Sequence, residues 1–264
     1  MKIALVDSGL GLLAAAAALR RRRPDLDLVL SSDPDGMPWG PRTPEGIAAH
    51  ALACARAAAE FGPDALVIAC NTASVHALDV IRAELEPGLP VIGTVPAIKP
   101  ASAAGGRVAI WATPATTGSP YQHQLIREFG GEATVTEVAC PGLADAVERA
   151  DQAAIAAAVA DAAARTPAHT DAIVLGCTHY ELLADEILAA VATPGESLPS
   201  WYGSADAVAA QALRRIGPGR PEGGGTLTVL QSGRVGSLPP AVLHYPEGRL
   251  LAEPARGPLT ATSG

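Results

Sequence analysis

The chain has 264 residues, of which 48% are hydrophobic and only 3% aromatic, and its formal net charge is −8. That length holds one large α/β domain or two smaller ones, and the acidic balance argues against nucleic acid or an anionic membrane as a partner. No apolar run reaches membrane-spanning length and no signal-peptide pattern precedes the first strand, so the expected location is the cytoplasm, where Cys54, Cys70, Cys140 and Cys177 stay reduced.

Apolar runs alternate with Ala- and Arg-rich stretches in a βαβα rhythm that suits a parallel sheet covered on both faces. The first strand, residues 2–6, ends in Asp7-Ser8-Gly9 with Gly11 beyond, a turn that permits close approach of a ligand. It lacks the third glycine of a dinucleotide fingerprint. Asp7 can accept a proton or hold an ammonium group; the plainer alternative is that Asp7 and Ser8 cap the next helix. That helix, residues 12–23, closes on Arg20, Arg21, Arg22 and Arg23, expected to be a solvated end complementing the helix dipole. A strand over residues 26–30 leads to Met37-Pro38-Trp39-Gly40-Pro41-Arg42. This rigid loop is either placed to close over a ligand or an ordinary Pro/Gly turn. Helix 44–61, strand 65–69, helix 74–85 and strand 91–94 follow. A second series comprises strand 107–111, helix 121–129, strand 132–138, helix 152–164, strand 172–175 and helix 180–191. Residues 217–225 read as a Gly/Pro-rich loop and the chain from about residue 253 as a frayed end.

The chain echoes itself. Ala65-Leu66-Val67-Ile68-Ala69-Cys70-Asn71-Thr72 is matched by Ala172-Ile173-Val174-Leu175-Gly176-Cys177-Thr178, which places the two cysteines 107 residues apart. The first strand and Asp7-Ser8 are matched by residues 107–113 at an offset of 105. Two echoes at nearly one offset predict two similar α/β halves. Each cysteine then lies at a strand C-terminus, the edge where open α/β sheets bind ligands.

A cysteine opening a helix feels the positive end of its dipole, which favours thiolate, and the N–H groups there attract a carboxylate. A buried, inert cysteine is the alternative for either thiol taken alone. His179, two residues from Cys177, can hydrogen-bond the thiol or orient a substrate. Zinc fits poorly, since Cys70, Cys177 and His179 supply three ligands and no fourth is evident. Two thiols on opposite sides of a cleft suit the inversion of a chiral carbon, one removing a proton and the other returning one. Asn71, Thr72 and Thr178 are placed to donate to a carboxylate where charge collects.

Asp7-Ser8-Gly9-x-Gly11, Pro38-Trp39-Gly40-Pro41, Cys70-Asn71-Thr72-Ala73-Ser74, the run from Val91 through Val95-Pro96-Ala97-Ile98-Lys99-Pro100, and Leu175-Gly176-Cys177-Thr178-His179-Tyr180 together resemble the glutamate racemases of the aspartate/glutamate racemase superfamily. The resemblance covers roughly residues 2 to 215. It implies two pseudo-symmetric parallel-sheet α/β domains with the active site in the cleft between them, residues 1–95 plus about 206–264 forming the first and 96–205 the second. It further implies a cofactor-independent two-base reaction on glutamate, supplying D-glutamate for peptidoglycan, in a homodimer. By motif position Cys70 is similar to the thiol that deprotonates D-glutamate and Cys177 to the one that deprotonates L-glutamate. Asp7, His179 and Glu148 match helper groups. Ser8, Asn71, Thr72, Thr116 and Thr178 match substrate contacts, and Pro38, Trp39 and Gly40 match the loop that holds the side-chain carboxylate.

The chain departs from that pattern at several points. Leu12 follows Gly11 where the family has a second glycine, Trp39 stands for tyrosine, residues 31–36 differ from Asp-Thr-Ala-Arg, and Gly203 replaces an aspartate. These departures bear on side-chain selectivity more than on reaction type. An aspartate or other amino-acid racemase is therefore the nearest alternative. A catalytically silent amino-acid-binding relative is the alternative from another class. A redox dithiol is disfavoured by the lack of a close resolving cysteine.

Overall fold

Strands of fully buried aliphatic residues build two sheets. In the computed structural model, which describes residues 1–193, 195, 197–218 and 224–253, the chain opens with β1 (Lys2–Val6), α1 (Leu12–Arg22), β2 (Asp27–Ser32), α2 (Pro44–Ala59), β3 (Ala65–Ile68), α3 (Asn71–His76), α4 (Leu78–Leu85) and β4 (Val91–Gly93). It continues through α5 (Ile98–Ser102), β5 (Arg107–Ala112), α6 (Pro120–Phe129), β6 (Thr134–Ala139), α7 (Leu143–Glu148), α8 (Gln152–Arg165), β7 (Ala172–Leu175), a 3-10 helix (Thr178–Leu183), α9 (Ala184–Val191) and β8 (Ser200–Tyr202). It closes with α10 (Ala205–Ile216), β9 (Leu227–Gln231), β10 (Arg234–Gly236), a 3-10 helix (Pro240–His244) and α11 (Pro246–Ala252).

The first sheet has the order β10-β9-β2-β1-β3-β4, parallel except for β10, and the second the order β6-β5-β7-β8, parallel throughout. The inner order β2-β1-β3-β4 is therefore repeated as β6-β5-β7-β8. Val6 pairs with Ile68 as Trp111 pairs with Leu175, so the sequence echo is a repeat of topology. Cys70 and Cys177 each stand two residues beyond those paired strand ends.

Local sequence sets the helix starts. Thr43 accepts from Gly46 N at 3.2 Å ahead of Pro44, Ser119 accepts from Gln122 N at 3.1 Å ahead of Pro120, and Asp151 accepts from Ala154 N at 3.0 Å. Helix α1 is buried from Leu12 to Arg20 and packs on α10, α11 and the 3-10 helix Thr178–Leu183. Its alanines let those neighbours approach closely, while Leu12, Leu13 and Leu19 each contribute about 1.5–3 kcal/mol by burial. One continuous core runs from Ile3 and Leu5 through α1 to Trp111, Ile173 and Leu175, so the two lobes meet across packed side chains.

Several elements differ from the sequence reading. The helix expected over 74–85 begins at Asn71 and breaks at Ala77, and the one expected over 180–191 begins as a 3-10 turn at Thr178. Strands β8, β9 and β10 are additional to the strands expected from the sequence; β9 and β10 form a hairpin through Ser232-Gly233, both at positive φ as a tight two-residue turn requires. Arg20 is not a solvated helix end. It is buried and donates to the carbonyls of Pro24, Leu26, Gly225 and Thr226 at 2.9–3.1 Å, tying α1 to the lead into β9. Arg21 and Arg22 are exposed as expected. Residues 219–223 of the Gly/Pro-rich segment and the tail from 254 lie outside the described residues. No helix among the described residues is long and apolar enough to cross a membrane.

Candidate active site

The C-terminal ends of β1, β3, β5 and β7 converge on one cavity of about 510 Å3. Strand β3 delivers Cys70, Asn71 and Thr72 to its wall, and β7 delivers Cys177, Thr178 and His179. Ser8 enters from β1, Thr116 from the turn after β5, and Glu148 from the last turn of α7. Pro38, Trp39 and Gly40 line it from the loop after β2. Asp7 does not line the cavity; it is fully buried behind the wall.

Asp7 is linked to the cavity through its neighbours. Its Oδ1 accepts from Ser8 N at 2.6 Å and Ser8 Oγ at 3.2 Å, its Oδ2 accepts from Thr178 Oγ1 at 3.1 Å, and the Cys70 thiol donates to the same carboxylate. Burial raises the Asp7 pKa, against the lowering influence of His179 and of the Cys70 and Ser8 hydrogen bonds. Cys70 is pushed well above 9.0, first by burial and then by the charge of Asp7. The thiolate expected there from the helix N-terminus is overridden: α3 is six residues long, and desolvation beside a carboxylate outweighs so short a dipole. Cys70 rests as a thiol.

The second thiol has different company. Cys177 Sγ lies 3.8 Å from His179 Nδ1, and His179 Nε2 lies 3.1 Å from Glu148 Oε2, which also accepts from Leu10 N at 2.8 Å. Cys54 and Cys140 are pushed up to about 12 by burial, so neither is a nucleophile or base near neutral pH.

The two lobes are stitched at the site. Asn71 Nδ2 donates across to Gly176 O at 2.8 Å, and Thr178 Oγ1 crosses the other way to Asp7. Two glycines permit this closeness. A Cβ at Gly9 would strike the Glu148 carboxylate, and one at Gly11 would strike Asp7, Thr178 and His179.

Trp39 is buried, and its Nε1 donates to Asp33 Oδ2 at 3.0 Å. The same oxygen pairs with His50 Nδ1 at 2.7 Å, while Asp33 Oδ1 accepts from Ser232 Oγ at 2.9 Å. Trp39 is thus a packed, anchored part of the cavity wall, with its indole N–H turned to Asp33.

Thr113 and Asp145 also line the cavity and were missed in the sequence. Thr113 sits 3.2 Å from Thr116 through their hydroxyls and is the repeat counterpart of Ser8, so the echo could have found it. Asp145 precedes Glu148 by three residues, which places both on one face of α7.

The family profile described as Asp/Glu/Hydantoin racemase matches residues 11–212. The chain belongs to the Asp/Glu/Hydantoin racemase family. Among similar sequences, the glutamate racemase of Roseiflexus sp. (strain RS-1) is 38% identical over 195 residues, 71% of this chain and 70% of that protein. The glutamate racemase of Sphingopyxis alaskensis is 39% identical over 197 residues, 71% of this chain and 73% of that protein. Among solved structures, Escherichia coli glutamate racemase in complex with L-glutamate superposes with a TM-score of 0.76 at 26% identity, covering 92% of this chain and 91% of that one. The Thermus thermophilus glutamate racemase gives a TM-score of 0.69 at 28% identity, covering 96% and 93%. The racemase-family fold of two α/β lobes with a cleft between them is the one described above.

Proposed function

We propose that the chain interconverts L- and D-glutamate with Cys70 and Cys177 as its two bases and no cofactor. One observation carries the reading: the two thiols occupy equivalent strand ends of repeated lobes and line one cavity. The relatives named glutamate racemase support the choice of substrate.

On this reading one thiolate removes the α-proton, leaving its electron pair on the α-carbon and its carboxylate. The opposite thiol delivers its proton to the other face and becomes the thiolate. For D-glutamate Cys70 takes the proton; for L-glutamate Cys177 does. Cys70 rests protonated, ready to donate. When it must accept, Asp7 can take its proton, and the raised Asp7 pKa narrows the gap between the two acids. His179, held by Glu148, keeps a positive partner beside Cys177. Ser8, Asn71, Thr72 and Thr178 surround the α-carboxylate and ammonium end, while Thr116 and the Pro38-Trp39-Gly40 loop face the side chain. We assign residues 1–95 with about 206–264 to one domain and 96–205 to the other. On family resemblance alone, we extend the reading to cytoplasmic homodimers that supply D-glutamate to peptidoglycan.

The test is incubation of the purified protein with L- and D-glutamate, and in parallel with L- and D-aspartate, in D2O without cofactor. Optical activity and α-deuterium should change together from either enantiomer. No exchange from either overturns the assignment, and exchange of aspartate alone moves it to the nearest alternative.

A further inference from the structure

Glu181 is a buried carboxylate that the reaction above does not use. It sits in the 3-10 helix Thr178–Leu183, two residues beyond His179 and four beyond Cys177. Its side chain does not line the cavity. It points instead at the start of α10. Oε1 accepts from Ser204 N at 2.7 Å and from Ser204 Oγ at 2.7 Å, and Oε2 accepts from Ala205 N at 3.2 Å. Ser204 occupies the N-cap position of α10, yet its hydroxyl donates to Glu181 rather than accepting from its own helix. The cap of α10 therefore comes from the turn that carries Thr178 and His179.

The neighbouring residue makes room. A Cβ at Gly203 would run into the Glu181 carboxylate, so the absence of a side chain at 203 is what lets Glu181 reach the start of α10. Helix α10 packs on α1, β3 and β4. Strand β3 leads directly to Cys70. The connection thus runs from one thiol's turn through Glu181 and α10 to the strand that presents the other.

We infer that Glu181 is a positioning residue, tying the Cys177-Thr178-His179 turn to α10 and so fixing the two thiols against each other across the cleft. The inference rests on the two-thiol reading. Cap and tie are separable. A cap only needs an acceptor at the start of α10, whereas the tie needs that acceptor to belong to the 3-10 turn.

The experiment compares wild type, Glu181→Gln, Glu181→Ala and Glu181→Ala combined with Gly203→Asp, measuring Tm, kcat and KM for both glutamate enantiomers. Glu181→Gln keeps an oxygen for Ser204 and should retain most of the turnover. Glu181→Ala should lower kcat about 100-fold, the loss expected of a misplacement near 1 Å, with KM changed far less. If that variant does not fold, the double variant is read in its place, since its introduced carboxylate caps α10 from α10's own side. Its kcat should stay low in folded protein. Recovery of kcat in the double variant, normal kcat in Glu181→Ala, or a Glu181→Gln as impaired as Glu181→Ala overturns the inference. Inactive wild-type protein overturns the two-thiol reading instead.

Discussion

His179 Nε2 lies 3.1 Å from Glu148 Oε2 while its Nδ1 faces Cys177 Sγ at 3.8 Å, so one buried imidazole joins a carboxylate of α7 to the thiol after β7. Burial alone would lower the His179 pKa. Its bonds to Cys177 and Glu148, with the charge of Asp7, outweigh burial and hold it well above 6.5.

Glu148→Gln keeps an acceptor for Leu10 N and removes the charge. His179 should then titrate at lower pH, read by NMR of its ring protons. A histidine raised in the native state adds stability that is full below its unfolded value of about 6.5 and lost as pH rises through the native value. In Glu148→Gln the alkaline loss of Tm should therefore shrink and move to lower pH. An unchanged His179 titration would refute this coupling.

Cys70→Ala and Cys177→Ala should each abolish racemisation, at a cost of at least about 100- to 10,000-fold, the range of one positioned acid–base group. The buried Cys54 is the control: Cys54→Ala should leave turnover within a factor of about two, since no acid–base step uses it. Near-normal turnover in either active-site variant contradicts the two-base scheme.

Gly11→Ala tests how tightly the helpers are packed. The backbone at Gly11 has φ −58 and ψ −25, so alanine meets no torsional obstacle. Its methyl group meets Asp7, Thr178 and His179 instead. Overpacking of this kind costs about 1–3 kcal/mol, and displacing these groups should lower kcat about 100-fold. Thermal melts and kinetics together check both effects.

Asp33→Ala should act on substrate binding. It leaves the buried Trp39 Nε1 without its acceptor, costing about 1–3 kcal/mol, frees the half-buried Ser232 hydroxyl, and releases the wall formed by the Pro38-Trp39-Gly40 loop. KM for glutamate should rise more than kcat falls. A variant that loses kcat at constant KM would argue against a role for the loop in holding the substrate's far end.

Arg20→Met should destabilise without touching the reaction. Four carbonyls lose a charged donor, and a hydrogen bond to a charged group contributes about 1.5–3 kcal/mol net of exchange with water. Tm should fall while KM and kcat, measured well below it, stay unchanged.

The repeated strand–cysteine–helix units were legible in the sequence because everything that defines them is local: an apolar run, a small residue, the thiol and a polar residue that opens a turn. The same locality makes Asp7, Asn71, Thr72, Thr178 and His179 nameable from the sequence as candidates. What escaped depends on partners distant along the chain. Arg20 reads as a surface cation until Gly225 and Thr226 are folded onto it. Glu181 looks like a solvated helix residue until α10 arrives 23 positions later. Trp39 was visible as a loop residue, but its anchor Asp33 is shared with Ser232, 199 positions further along the chain. The resting thiol of Cys70 was missed because dipole reasoning counts neighbours in sequence, whereas desolvation depends on depth.

The sheets repeat one order, yet the residues beside the thiols do not repeat. Thr72 stands where the second lobe has His179, and Ala112 where the first has Asp7. Mirror-image substrates have equal free energies in water, so an enzyme that interconverts them must show the same kcat/KM in both directions. Unlike helpers cannot bias the final mixture. They can only make one enantiomer turn over faster and bind more weakly in proportion, so the asymmetry of the lobes should be visible in saturated rates and invisible at low substrate.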